Sequence, residues 1–496
     1  MSLQTGEEYA QTEVSEAPAA VSSRWPGLIV VLVATFMAML DGFIVNVAIP
    51  SIQHSMQATP GEIELISAAY SLPYALLVIT GGRLGDLYGV RRLFMIGMAL
   101  FTAFSALCAA APNPLLLLTA RVGQACGGAL MYPQVLSFIQ LSFHQQERAQ
   151  ALSLWAVAGG LASVFGQLIG GSLITANIAG LSWRSIFLVN VPLGIMVLLG
   201  AWAFVHERRT PQKVRLDIWG TVLIAGGLLL LLYPIVTGRS AGWPWWMLLC
   251  LPLALLVLVG FGWFEYREAR RGAAPLINLA LFRLPSFLWG CFMALVGFAS
   301  TAAFFFILAL YLQSGLGFSA LLSGLAFTPL GVTFIVASGL SSRVATRLGH
   351  WAFALAFGLA AVGTFGLFLV AESAGKTAPA WAPLLLTLVT IGIGLGLGAP
   401  AIMTLTLRDI PEREAGVASG ILETMIQLGF ALSAPLIGLV FFNVSGAGSA
   451  IAHGPDTIHA FTQSLLAFGG SLILLVILVP FLRWSVEKRT AGQDKQ

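Results

Sequence analysis

Apolar residues along this chain come in runs of about 20, separated by short polar segments, the spacing expected of helices that cross a bilayer. Fourteen such runs can be drawn: 27–50, 63–84, 92–111, 115–141, 149–175 and 185–205, then 216–236 and 245–264, then 286–311, 320–341, 351–371, 382–406, 415–441 and 460–482. At a rise of about 1.5 Å per residue, each can span a hydrocarbon core of about 30 Å as a helix. The runs are rich in Leu, Ala and Gly, which predicts an all-α polytopic membrane protein and not a barrel.

Composition agrees. Of 496 residues, 58% are hydrophobic and 9% charged, with a mean hydropathy of +0.89; a soluble protein carries about 25% charged residues. The net charge of +4 is spread over loops, so nucleic acid is not an expected partner. If the N-terminus is cytoplasmic, 21 of the 25 Lys and Arg residues fall in cytoplasmic segments. Arg184, Arg239 and Lys376 fall outside, and Arg121 lies in a span. The positive-inside rule then places both termini in the cytoplasm. Residues 1–24 carry four glutamates without a basic leader or a short apolar core, so a disordered cytoplasmic tail is expected instead of a signal peptide. The basic segments 206–215 and 265–284 flank spans seven and eight, and 276–283 is expected to lie amphipathically at the interface with lipid. The four cysteines sit at unrelated spacings in apolar segments, which argues against a disulfide or metal site.

A weak internal repeat divides the chain. GGALMYP (127–133) in span four is echoed by GLGLGAP (394–400) in span twelve, and GGRLGDLYGVRR (81–92) after span two by SGLSSRVATRLGH (338–350) after span ten. The offset is eight spans, as two six-span halves with a two-span insert would give. The expected divisions are a tail at 1–24, one bundle at 25–205, an insert at 206–284, a second bundle at 285–483 and a tail at 484–496.

Three chargeable side chains fall deep within spans: Asp41, Arg121 and Glu423. A charge at that depth costs about 2.5–3.5 kcal/mol on insertion scales, so each needs a partner or a function. Asp41 is the leading proton site, because burial and a nearby arginine pull a carboxylate's proton affinity in opposite directions. The six histidines lie in loops or at span ends, so a proton relay within the membrane falls to carboxylates. Gln427 lies one turn from Glu423 and shares its face. Glu62 and Glu64 open span two, either as helix N-terminal acids or as a screen for cations at an external mouth. The bland alternatives are a hydrogen-bonded structural aspartate, a fixed ion pair and a solvated acid.

The segment Gly82-Arg83-Leu84-Gly85-Asp86-Leu87-Tyr88-Gly89-Val90-Arg91-Arg92 resembles the signature loop of the major facilitator superfamily. Its glycines suit a tight turn and close helix approach, Asp86 suits helix amides, and Arg91 and Arg92 suit carboxylates or lipid phosphates. Leu40-Asp41 through Asn46-Val47-Ala48-Ile49-Pro50, and Trp183-Arg184 through Asn190-Val191-Pro192, resemble the fourteen-span drug:proton antiporter branch of that superfamily. Span five carries Gly166-Gln167-Leu168-Ile169-Gly170-Gly171, similar to the antiporter motif except that Gln167 stands where proline is usual. Arg121-Val122-Gly123-Gln124-Ala125 resembles the span-four motif, with Ala125 in place of its glycine.

The resemblance implies two six-helix bundles plus two inserted helices in a bacterial inner membrane. It implies export of a small amphipathic compound, lipophilic or cationic, in exchange for protons. Asp41 and Arg121 would couple the proton, and Glu423, Gln427 and Asn46 would bind substrate. The loop at Gly82, Gly85, Asp86, Gly89, Arg91 and Arg92 and the span-five residues Gly166, Gln167, Gly170 and Gly171 would govern conformational change. No cofactor is expected beyond the proton as coupling ion, and the expected partners are a small-molecule substrate and the lipid bilayer, with the chain a monomer. The rival readings are a transporter of a specific metabolite, siderophore or lipid, and, more remotely, a membrane-embedded enzyme or a sensor. No phosphate-binding loop of the ATP-driven kind is present.

Overall fold

The computed structural model describes residues 24–207, 217–271, 279–349, 351–374, 380–411, 414–444 and 455–493. The tail at 1–23, most of the basic segment 206–215 and the start of the 276–283 stretch lie outside the described residues. The first half comprises α1 (Arg24–Met56), α2 (Pro60–Tyr88), α3 (Val90–Ala110), α4 (Pro114–Ser142), α5 (Gln145–Ala176), a short α6 (Ser185–Leu188) and α7 (Asn190–Phe204). The insert is α8 (Ile218–Ala241) and α9 (Trp245–Arg270). The second half comprises α10 (Pro285–Leu310), α11 (Ala320–Leu348), α12 (Trp351–Ala374), α13 (Trp381–Leu407), α14 (Ala415–Val444) and α15 (Pro455–Gln493). Thirteen helices among the described residues are long and apolar enough to cross a bilayer; α2, 29 residues long, packs beside α4 in their midst.

The helices overrun the apolar runs, because backbone hydrogen bonding does not stop where hydrocarbon stops and polar residues cap the ends. Asn113 accepts from the Leu116 amide at the start of α4 at 2.9 Å, and Ser319 accepts from Leu322 at the start of α11 at 3.2 Å. Two spans are not single helices. Span six is built from a 3-10 turn at Ser182–Arg184, then α6, then α7 beginning at Asn190. Span nine ends in a π-turn at Tyr311–Gly315, held by Tyr311 stacked on Phe461 with centroids 4.0 Å apart.

In the first half, α1 packs on α5 and α7, while α2 and α3 pack on α4. In the second, α10 packs on α14 and α15, while α11 and α12 pack on α13. The halves meet chiefly along α5 with α11 and α2 with α14. The α8–α9 pair lies over the second seam: Leu228 and Leu232 of α8 share a buried cluster with Ala75 of α2 and Leu428 of α14. Leu255, Leu256 and Val259 of α9 remain exposed, as residues facing lipid would be.

The repeat has a physical counterpart. α2 and α11 both end on a glycine in positive φ, Gly89 at +102° and Gly349 at +55°. Pro133 of α4 and Pro400 of α13 lack an amide hydrogen and so free the carbonyls of Ala129 and Gly396. The neighbouring helix approaches both sites: Gly81 of α2 lies against the Ala129 carbonyl, and Ser338 of α11 donates to Gly396 at 3.0 Å.

The signature segment differs from its expected form. Gly82 and Gly85 are not in a turn, because α2 stays helical to Tyr88 and the chain reverses at Gly89 alone. Gly82 and Gly85 instead leave room for Pro133 and the Gln134 side chain of α4, whose amide donates to the Gly81 carbonyl at 2.8 Å. Arg91 donates to the Trp202 carbonyl near the end of α7 at 2.7 Å, and Arg92 lies 3.7 Å from Glu207. The side chain of Asp86 lies outside the described residues.

Candidate functional site

Asp41 lies midway along α1 and is fully buried. Its carboxylate is caged by side chains from two neighbouring helices. From α4, Arg121 forms the ion pair and Gln124 donates to Oδ1 at 2.8 Å; from the start of α7, Asn190 donates to the same oxygen at 2.9 Å. Gln124 ties the cage together: its Oε1 accepts from Arg121 at 2.8 Å, and its Nε2 also donates to Ser105 of α3 at 2.8 Å. All the contacts offer donors, the complement of an ionised carboxylate, which only accepts. The Arg121 guanidinium also lies over the Tyr70 ring of α2, 4.8 Å from its centroid.

The sequence marks Asp41 and Arg121 as charges requiring partners, and the structure joins them to each other. Gln124 and Asn190 are cage members that sequence reasoning missed. They appear in the span-four and span-six motifs, but as neutral amides they carry no burial signal strong enough to set them apart. The break in span six sets Asn190 at the first position of α7, facing α1.

Beyond Tyr70 lies a partly open cleft with about 660 Å³ of empty space, its open part included, lined by Asn46 of α1, Ser67, Tyr70 and Tyr74 of α2, Tyr132 of α4 and Gln427 of α14, among others. A second lobe of about 690 Å³ adjoins it and is lined mainly by aromatic and aliphatic side chains of the second half. Phe43 and Phe430 line both lobes, their rings edge to face with centroids 6.1 Å apart. Phe305 approaches Phe43 at 5.8 Å, so an aromatic cluster bridges the halves. The structure therefore brings Asn46 and Gln427 to one cleft. Gln427 donates to Glu423 at 2.9 Å, as a pair one helical turn apart allows.

The span-five residues connect the cage to the interface between the halves. Gly166 and Gly170 lie against Phe43, Ile44 and Val47 of α1, and Gly171 lies against the Ala320 carbonyl of α11. With Gln167 in place of proline, α5 runs unbroken from Gln145 to Ala176, and the Gln167 amide donates to the Phe43 carbonyl at 3.1 Å. Cross-half hydrogen bonds follow near the C-terminal ends of α1 and α5: Gln313 to the Val47 carbonyl at 3.1 Å, and the Leu321 amide to Thr175 at 3.1 Å.

Two expected mouth residues are placed otherwise. Glu64 is fully buried within α2 and does not face a mouth, because the helix begins at Pro60 and its fifth residue already turns inward. Glu62 closes a capping box, its carboxylate accepting from the Thr59 amide at 2.8 Å, so it serves as a helix N-terminal acid. Glu265, assigned from sequence to a basic connection, is buried in α9, which continues to Arg270.

Comparison with known proteins gives this architecture a family. The model of the Major Facilitator Superfamily matches residues 31–434, a range that contains Asp41, Arg121 and Glu423. The chain is 35% identical over 480 residues to the probable actinorhodin transporter of Streptomyces coelicolor, covering 97% of this chain and 83% of that protein. It is 33% identical to the puromycin resistance protein pur8 of Streptomyces alboniger, covering 95% and 93%. It is 30% identical to the multidrug resistance protein Stp of Mycobacterium tuberculosis, covering 82% and 73%. A bacterial homologue of the human lysosomal transporter Spinster shares the fold with a TM-score of 0.70 at 16% identity, covering 95% of this chain and 98% of that one. With its two helical bundles, its inserted pair and a family match running through most of both halves, the chain is a multi-pass membrane transporter, not an enzyme, and belongs to the Major Facilitator Superfamily.

Proposed function

We propose that this transporter exports a small amphipathic compound, lipophilic or cationic, in exchange for protons, with Asp41 as the proton carrier and the cleft beyond Tyr70 as the substrate site. The observation that carries the reading is the buried cage: one carboxylate, one guanidinium and two amides on three helices, next to a cleft between the halves. Naming of the relatives for antibiotic transport and drug resistance supports the direction of transport.

The physics of coupling follows from the cage. While Asp41 is ionised, its charge balances Arg121 and its oxygens meet donors alone. A proton on Asp41 leaves the guanidinium buried without a counter-charge and puts a fourth donor among donors, so the cage must rearrange. Movement of α1 reaches the cleft within one turn, through Phe43, which touches both lobes and is held by Gln167 of α5. α5 in turn contacts α11 in the other half.

With both termini in the cytoplasm of a bacterial cell, the contacts at Val47, Thr175, Gln313 and Leu321 form the external gate, closed here. Substrate then loads from the cytoplasm or inner leaflet. Rocking opens the external gate, a proton from outside displaces substrate, and the return step carries the proton in. The signature segment at α2–α3 would steady the cytoplasmic side of the outward-open form.

The test is a drug-susceptibility panel in a pump-deficient bacterial host expressing wild type or Asp41→Asn at matched membrane levels. The reading expects resistance to at least one amphipathic compound from wild type and none from the variant. Equal resistance from both proteins would remove Asp41 from the coupling step.

A further inference from the structure

The two lobes of the central cleft differ in one chemical respect: whether their polar groups are already satisfied. In the lobe of the second half, Thr301 is the polar side chain among aromatic and aliphatic neighbours, and its hydroxyl donates to the Gly297 carbonyl at 2.8 Å. That lobe offers a ligand dispersion and ring contacts alone. In the lobe beside the proton site, Gln427 is bonded to Glu423, but two other groups have no hydrogen-bond partner among the described residues. One is the hydroxyl of Tyr74, whose side chain is 2% exposed; the other is the hydroxyl of Ser67, two turns earlier on the same helix. Both residues line the lobe. The Trp155 indole N–H, buried and also without a partner, belongs to a ring 6.0 Å from that of Tyr132, which lines the lobe as well.

A buried hydroxyl or indole without a partner is destabilising, and native interiors carry few of them. Here two belong to residues that line one cleft, and the third to a ring packed against another lining residue, Tyr132. All three can donate, and the indole can do nothing else. A cation could bond only to the hydroxyl oxygens, leaving the indole N–H and the hydroxyl hydrogens without an acceptor. A ligand edge carrying carbonyl or other acceptor oxygens would satisfy them. The ring cluster of Phe43 and Phe430 stands where the lobes join, so the body of such a ligand is best flat and aromatic. From this pattern we infer that the cleft selects planar aromatic compounds bearing carbonyl acceptors along one edge, held by the Tyr74 and Ser67 hydroxyls, with the hydrocarbon body in the phenylalanine lobe. The inference rests on the export reading only for the claim that the bound compound is cargo; the binding preference stands apart from transport.

The experiment uses the purified full-length protein in detergent, titrated at equilibrium with anthracene and with anthraquinone. These probes share a fused-ring body and differ in the carbonyl acceptors. Tyr74→Phe deletes the hydroxyl and keeps the ring against Tyr70 and Tyr132. One neutral hydrogen bond predicts an anthraquinone affinity lowered about 3- to 10-fold in Tyr74→Phe, with anthracene affinity within about 2-fold of wild type. Ser67→Ala is expected to move anthraquinone in the same direction and to spare anthracene. Equal effects on the two probes, or none on either, would overturn the assignment. So would tighter binding of tetraphenylphosphonium than of anthraquinone that depends on Glu423 and ignores Tyr74→Phe. A failure of Asp41→Asn to change export would defeat the proton-coupling proposal and leave these affinity ratios untouched.

Discussion

The Asp41–Arg121 pair makes a quantitative prediction about stability. Both side chains are buried, at 0% and 1% exposure, so solvent screening does little to weaken their interaction. Arg121→Gln strips the counter-charge and leaves Asp41 with Gln124 and Asn190 alone. Asp41→Asn leaves a guanidinium inside the bundle with no anion beside it. Removing one partner of a buried pair typically costs about 3–5 kcal/mol, mostly from the charge left behind. Removing both charges abolishes that penalty. The double variant is therefore expected to lose about 2–3 kcal/mol less than the sum of the single losses, at the upper end of measured couplings between contacting residues. The assay is equilibrium unfolding of purified protein in mixed micelles, read by tryptophan fluorescence, for wild type, both single variants and the double. Additivity of the losses within about 0.5 kcal/mol would refute the claim that these groups compensate each other in the folded bundle. The double variant is also expected to recover stability without recovering export, since it carries no titratable carboxylate.

Three further outcomes follow from the same geometry. Gln124→Leu breaks bonds to Asp41, Arg121 and Ser105, whereas Asn190→Leu breaks one to Asp41, so the first is expected to destabilise by about 2–4 kcal/mol and the second by about 1–2, measured by the same unfolding assay. A cysteine pair replacing Thr175 and Leu321, whose backbone and side chain already bond across the halves, is expected to halt export when oxidised and restore it when reduced; undiminished export after complete cross-linking would show that this contact does not open. Glu423→Gln is expected to weaken export of cationic compounds more than of neutral ones, read from a susceptibility panel, whereas an equal loss for both would assign Glu423 a structural role.

The spans and the repeat were legible because hydrocarbon admits few solutions: runs of about 20 apolar residues must become helices with their backbone groups bonded internally. Asp41 and Arg121 were legible for the same reason, as charges that an apolar run does not carry without compensation. Gln124 and Asn190 were not, because burying a neutral amide costs less, and because their meeting depends on how α1, α4 and α7 cross. Glu64 is not legible as buried, since an acid a few residues inside a helix start reads as surface, while its actual direction is set by helical phase. From sequence, Gly82 and Gly85 read as chain breakers and lengthen the expected turn after α2; within a tightly packed helix pair they serve as contact points for α4. That Gln167 stands in place of the usual span-five proline is legible in the sequence; what it does instead, a side-chain bond to the backbone of α1, depends on how α5 packs on α1.

The central claim, that proton movement through Asp41 is tied to substrate movement, is tested most directly by reconstituting the full-length protein into vesicles containing a pH-sensitive dye and imposing a gradient of a compound to which it confers resistance. The account predicts substrate-dependent proton flux from wild type and none from Asp41→Asn inserted at the same density. Proton flux of equal size from the variant, or substrate transport by wild type with no proton movement, would contradict it.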